Sequence, residues 1–188
     1  VVVFRQIQFA KNRPIGYERN GLINVYLQTN DIHKHFDAVR NELKTQNAIV
    51  EMTEAGAPTT QVWNSNGGFT WSGKDPSLAV DFPNNGVNHE FGKTVGWKFQ
   101  EGRDFSRDFA SDSLTFVINE AMARFLGFEK PVGETLTWND TNYKIIGIIE
   151  DMVIESPSEP VRPSLWHIDR YNNVNLVILK LNPDMNAA

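Results

Sequence analysis

Val87-Asn-His-Glu-Phe91, Gly96-Trp97, Glu101-Gly-Arg-Asp-Phe105, Val117-Ile-Asn-Glu-Ala121, Gly133-Glu-Thr-Leu136 and Ile145-Ile-Gly-Ile-Ile-Glu-Asp151 follow one another in a single stretch of the chain. Short apolar strands alternate there with one compact helix, and glycines punctuate the joints. Asn119 is a strong N-cap, Glu120 suits the first turn, and Ala121, Met122, Phe125 and Leu126 supply a buried face. Gly127 can take the left-handed C-terminal position, so the pattern predicts a helix within 119–127. Thr135–Trp138 and Tyr143–Glu150 predict a hairpin across Asn139–Asn142. Ile145, Ile146, Ile148 and Ile149 make both faces of the second strand apolar, which predicts a central position. Nothing in the stretch is arranged like an active site.

Upstream, Leu22–Gln28 is a strand with too few polar breaks to lie fully exposed. Ile32, Phe36, Val39 and Leu43 then form one helical stripe, with Thr29 or Asn30 as cap, Asp31 at the positive end and Lys44 at the negative end. Ala48–Thr53 reads as a second strand, so the three elements predict a βαβ unit. Its helix start lacks a glycine-rich loop and gives no support for phosphate binding.

From Thr59 to Asn85 the texture changes. Gly67-Gly68, Gly73, Pro76 and Pro83 divide short aromatic pieces around Val62-Trp63, Phe69–Trp71 and Leu78–Phe82, which predicts a β-rich insertion. Asn88–Val95 predicts a short helix stopped by Gly96, and Leu114–Ile118 a strand. Pro157, Pro160 and Pro163 force an extended connection. Leu165–Ile168 and Val174–Leu181 read as closing strands, and Pro183–Ala188 as the first turn of a helix. At the other end, Val1–Phe4 is either a first strand or the end of a longer hydrophobic helix. Phe4, Ile7 and Ala10 then share a helical face flanked by Arg5, Lys11 and Arg13, until Pro14.

At 188 residues with 40% hydrophobic and 22% charged residues, the chain can bury a real core. A net charge of −5 without a Lys/Arg cluster argues against a nucleic-acid partner. The absence of cysteine removes disulfides, thiol catalysis and thiolate metal sites. No run reaches the roughly 18 apolar residues of a membrane helix.

Chemistry is sparse. His33 and His35 are two apart on a helix and cannot share a metal, and His89 and His167 stand apart from them. Glu101, Asp104, Asp108 and Asp112 surround Arg103 and Arg107. Their spacing lacks the glycine and terminal glutamate of an EF-hand, so charge pairing in a solvated loop is the better account. Gly73-Lys74-Asp-Pro-Ser77 lacks the phosphate-loop spacing, and no Gly-x-Ser-x-Gly or Ser/His/Asp set is present. Asn139-Asp-Thr141 is a glycosylation sequon that reads as a hairpin turn. Catalytic, metal and cofactor-binding residues are therefore none. Core packing accounts for most of the five tryptophans, leaving Trp63 and Trp71 as the exposed pair that could contact a ligand or partner.

Taken in order, the motifs of the opening stretch, with Pro131-Val-Gly133, Glu159-Pro160 and Pro163, resemble the extracytoplasmic core domain of MacB-like and FtsX-like ABC transporter permeases. The resemblance covers nearly the whole chain. It implies an α+β fold in which a porter-like βαβ subdomain (22–58 and 164–188, its second βαβ truncated) carries an inserted β-rich subdomain (59–163, with the helix of 119–127). Residues 1–21 become a juxtamembrane helical extension. It further implies a non-catalytic domain, without cofactor, on the periplasmic side of the bacterial inner membrane. Its partners would be a cytoplasmic ATP-binding subunit, a second permease and a periplasmic protein. Two other readings stay open: a secreted glycan- or peptide-binding module using Trp63 and Trp71, and a hydrolase using the Asp104–Asp112 loop.

Overall fold

The computed structural model describes residues 15–154, 159–171 and 173–184. Its strands are β1 (Leu22–Tyr26), β2 (Ile49–Ala55), β3 (Ser65–Asn66), β4 (Thr70–Trp71), β5 (Phe82–Val87), β6 (Phe99–Gly102), β7 (Thr115–Asn119), β8 (Thr135–Trp138), β9 (Thr141–Ile149), β10 (Leu165–Ile168) and β11 (Leu176–Leu181). The helices are α1 (Asp31–Lys34), α2 (Phe36–Thr45), α3 (Phe91–Val95) and α4 (Glu120–Leu126), with a 3-10 turn at Ala110–Leu114. The mixed α+β class expected from the sequence is the one observed.

β9 is central, as its two apolar faces require. It pairs in parallel with β7 on one side and antiparallel with β8 and β6 on the other. The hairpin into it is tighter than expected, because Asn139 and Asp140 both adopt positive φ (49° and 58°) and alone form the loop. That is the two-residue turn whose twist matches paired strands, and it places the sequon in the turn. Opposite β7, the register slips by one residue between Ile145 and Gly147. The bulge flips the alternation along β9, so that Ile145 and Ile148 enter one core while Ile146 and Ile149 enter another.

These two cores lie against opposite faces. The first gathers Val87, Phe91, Trp97, Val117, Ile149 and Trp166, and the second Phe69, Phe82, Phe116, Ile118, Met122 and Ile145. β7 feeds both, because neighbouring side chains on a strand point to opposite faces. Each such side chain contributes about 1.5–3 kcal/mol on burial. A third, smaller core of Phe36, Ile49, Met52 and Val177 holds α2 on the sheet.

Hydrogen bonds run through the sheet in the order β1-β11-β2-β5-β10-β7-β9-β8-β4. β11 lies between β1 and β2 and is antiparallel to both. The predicted βαβ unit is thus a split one: β1 and β2 run parallel but are not neighbours. A local reading of residues 22–53 has no means of seeing a strand that returns from residue 176. β10 likewise joins β5 in parallel and β7 antiparallel.

Other expectations need adjustment. The predicted single helix breaks at His35 into α1 and α2. Within them only Phe36 is fully buried, while Ile32, Val39 and Leu43 pack half-buried on the third core. Thr29 rather than Asn30 meets the helix start, its hydroxyl accepting from the Asp31 amide at 3.4 Å. β1 is a sheet edge with Ile23, Val25 and Tyr26 exposed, against the expectation drawn from its apolar content. Phe125 is also exposed, although its ring still meets Phe82 at 5.3 Å between centroids. The strand placed at Leu78–Phe82 starts only at Phe82. The helix expected over residues 4–13, the Val1–Phe4 segment, Pro157 and the C-terminal turn from residue 185 on lie outside the described residues.

Candidate functional site

Trp63 is exposed, and its ring stacks on Tyr26 of β1 with centroids 5.9 Å apart and planes 18° from parallel. Its indole N–H donates to Gln61 Oε1 at 2.7 Å. Beneath it, Ala57, Pro58, Val62, Phe91, Ile154 and Trp166 line an apolar crevice that reaches the first core. The crevice holds about 20 Å³, room for about one water molecule.

Trp71 lies elsewhere. It sits on β4, paired to β8, and its half-buried ring meets Phe82 and Phe125 with Lys74 Nζ 5.2 Å above it. The two tryptophans named from the sequence therefore belong to different faces and different clusters. Trp97 and Trp166 are core residues in mutual contact at 5.5 Å, and Trp138 stacks on Phe69 at 5.2 Å.

The carboxylate loop resolves into ion pairs. Arg103 holds Asp112 with two hydrogen bonds of 2.7 Å, and the Ser106 amide donates to the same carboxylate at 2.9 Å. Asp112 is fully buried, which pushes its pKa up, but the Arg103 bonds outweigh this and hold it below the usual range. Arg107 bridges Glu90, at 2.5 Å, and Asp37, at 3.1 Å, tying α2 to the start of α3. Asp104 differs from these. Its carboxylate lies against Gly92 and, among the described residues, accepts only the Phe105 amide, at 2.8 Å; burial raises its pKa to about 7 against the pull of that bond and of Arg103. Among the described residues no group of three or more His, Cys, Asp or Glu is placed to hold a metal ion.

A second network centres on Glu51, whose side chain is fully buried on β2. Arg40 donates to it at 2.6 and 2.9 Å and Lys44 at 2.9 Å, while Lys93 of α3 stands 3.6 Å away. Burial works against its charge, yet the Arg40 and Lys44 bonds prevail and bring the pKa down to about 2. Of the histidines, His33 meets Glu54 at 2.9 Å, while burial lowers the pKa of both His89 and His167. Each has a structural setting, and no two share a site.

The glycine-bearing motifs quoted at the outset meet in space. Gly102 on β6 faces Gly147 on β9; a Cβ on Gly102 would run into the Ile146 carbonyl, and one on Gly147 into the Arg103 carbonyl and the Phe99 ring. At the far end of β9, Asp151 accepts from the Ala121 amide at 2.7 Å and from Arg124 at 2.6 Å, while Glu120 accepts the Asp151 amide at 3.2 Å. Asn119 caps α4 through the Met122 amide and also receives the Ser164 amide, both at 2.9 Å. These motifs are joints of a frame rather than parts of a catalytic site. A family model described as MacB-like periplasmic core domain matches residues 8–185.

The chain belongs to that family. MacB-like periplasmic core domains are non-catalytic domains of ABC transporter permeases, a class that works with a cytoplasmic ATPase. Among solved structures, the periplasmic region of MacB from Actinobacillus actinomycetemcomitans is similar over 100% of this chain and 83% of its own. The TM-score is 0.58 and the identity 16%. The extracellular domain of YknZ, a noncanonic ABC-type transporter from Gram-positive bacteria, is similar over 87% and 84% at TM-score 0.54 and 16% identity. A domain of a putative permease from Porphyromonas gingivalis is similar over 78% of this chain and 62% of its own, at TM-score 0.54 and 15% identity. No curated protein sequence matches. Membership places this MacB-like domain on the periplasmic side of a membrane transporter, and among the described residues no helix is long and apolar enough to cross a membrane.

Sequence reasoning passed over one feature of the MacB-like domain. A polar cleft of about 580 Å³ opens beside Trp138, Tyr143 and His167, with Asn64, Asn66 and Asn84 on its other wall. Its residues come from distant segments, so no local motif marks it.

Proposed function

We propose that this domain transmits ATP-driven movement of the permease's membrane helices to substrate export or to a periplasmic partner. The observation that carries this reading is the edge at which the chain enters the sheet. β1 begins and β11 ends side by side, with Leu22 opposite Lys180, the Leu181 amide donating to Gly21 at 2.8 Å and Lys180 paired with Glu18 at 3.0 Å. A displacement applied at this edge reaches β2 through β11 and passes to the insertion strands at the Ala55–Val87 pair. In this reading ATP hydrolysis stays on the cytoplasmic subunit and the permease works as a dimer in the bacterial inner membrane.

We assign residues 22–58 and 164–188 to the porter-like unit and 59–163 to the insertion. The free edge of β1 and the exposed Ile23 and Val25 support completion of the porter unit by a further helix and strand, as in a ferredoxin-like split βαβ. A protein partner would meet Trp63, whose exposed ring sits where insertion and porter unit touch; Trp71, half-buried, would be the accessory contact.

The test uses the full-length permease with its ATPase in liposomes. A fluorophore at Lys130→Cys, on an exposed loop, is read by energy transfer against a labelled lipid headgroup. ATP is expected to shift the transfer, and a flexible Gly-Ser insertion between Asn20 and Gly21 to abolish the shift while ATP hydrolysis continues. An unchanged shift in the insertion variant, or none in the parent, overturns the proposal.

A further inference from the structure

We propose that the polar cleft beside Trp138 binds a saccharide. At about 580 Å³ the cleft falls within the range of about 300–1,000 Å³ usual for ligand sites. One wall is aromatic and stiff. Trp138 is fixed by its stack on Phe69, with Tyr143 and His167 tilted against it at 6.2 and 5.6 Å. Tyr171, 73% exposed, also lines the cleft.

The polar groups specify the ligand class. Asn64, Asn66 and Asn84 line the other wall, and an amide both donates and accepts, as a sugar hydroxyl does. Asn84 Nδ2 is committed to Asn66 Oδ1 and the Phe82 carbonyl, which holds that wall in place; Asn64 makes no side-chain hydrogen bond among the described residues. The two charged residues of the lining, Asp169 and Arg170, are opposite in sign and both are engaged. Asp169 spends its carboxylate on the Tyr171 and Asn173 amides of its own turn, at 3.3 and 2.8 Å. Arg170 makes no ion pair among the described residues. It donates to the Tyr143 hydroxyl at 3.2 Å and lies over the Tyr143 and Tyr171 rings. An anionic polymer would require a cluster of cations, and an apolar ligand would strand the amides. A ring with a C–H face and a hydroxyl rim matches both the aromatic wall and the amide wall.

Trp63 lines the apolar crevice and not the cleft, although Asn84 borders both. Saturation-transfer NMR on the 188-residue chain tests it with three probes: maltotriose, the N-acetylglucosamine trisaccharide and a glucuronic acid–N-acetylglucosamine disaccharide. Each is offered at about 10 mM, well above the millimolar Kd of a weak site. At least one should receive transfer through its ring protons. Arg170→Ala and Tyr171→Ala, both exposed, should each weaken binding by about fivefold or more, and Trp63→Ala should leave it unchanged. Absence of transfer to all three probes, or binding that survives both cleft variants, overturns the assignment.

Discussion

Asp104→Asn should make the domain more stable, by an amount that grows with pH. The Asp104 carboxylate is wedged between Gly92 and its own loop, with one amide donor and a pKa raised to about 7 by burial, from 3.8. A carboxyl raised in the folded state keeps a proton that the unfolded chain releases. Stability is therefore lost as pH climbs from about 4 through about 7, and the full cost stands above that window. A shift of about 3 units at about 1.4 kcal/mol each gives about 4 kcal/mol. Water reaching the partly exposed carboxylate trims this to about 2–3 kcal/mol. Asparagine keeps the acceptor for the Phe105 amide and removes the charge. Urea unfolding followed by tryptophan fluorescence at pH 5, 6, 7 and 8 should show the variant ahead by about 2–3 kcal/mol at pH 8 and by about a third of that at pH 5. Groups titrating identically in both proteins cancel in the difference. A variant less stable at pH 8, or one ahead by the same margin throughout, would refute the account of Asp104.

Glu51→Gln acts in the opposite sense. Its carboxylate, held at about 2 by Arg40 and Lys44, contributes stability above pH 4.5 that fades as pH falls toward 2. The variant should lose about 2–3 kcal/mol at pH 7 and little at pH 2.5 in the same unfolding assay. Gly102→Ala combines a positive φ of 76° with a Cβ driven into the Ile146 carbonyl across the strand. It should cost about 2–4 kcal/mol in a thermal melt.

What could be read in advance was local. Asn119, Glu120 and Gly127 specify α4 within a few residues of one another, and the four isoleucines of β9 announce a strand with two covered faces. Those signals depend only on near neighbours. Pairing between distant strands left no such trace: β11 slips between β1 and β2, and β10 beside β5, because of contacts made after long excursions of the chain. Exposure of β1 was misread for the same reason, since an apolar strand does not state whether anything covers it. Of the site residues, the exposure of Trp63 could be inferred from its glycine-rich surroundings. The polar cleft could not, since its asparagines and aromatics look like ordinary loop and strand residues until the sheet gathers them.

The antiparallel pairing of β1 and β11 has a directional consequence. Pulling the start of β1 away from the end of β11 opens the pair from Leu22 and Lys180 inward, one rung at a time, as a zipper opens. Pushing or tilting both together strains no single rung, because the load passes along the strands into the third core at Met52 and Val177. The same edge is thus compliant to divergence and stiff to concerted motion.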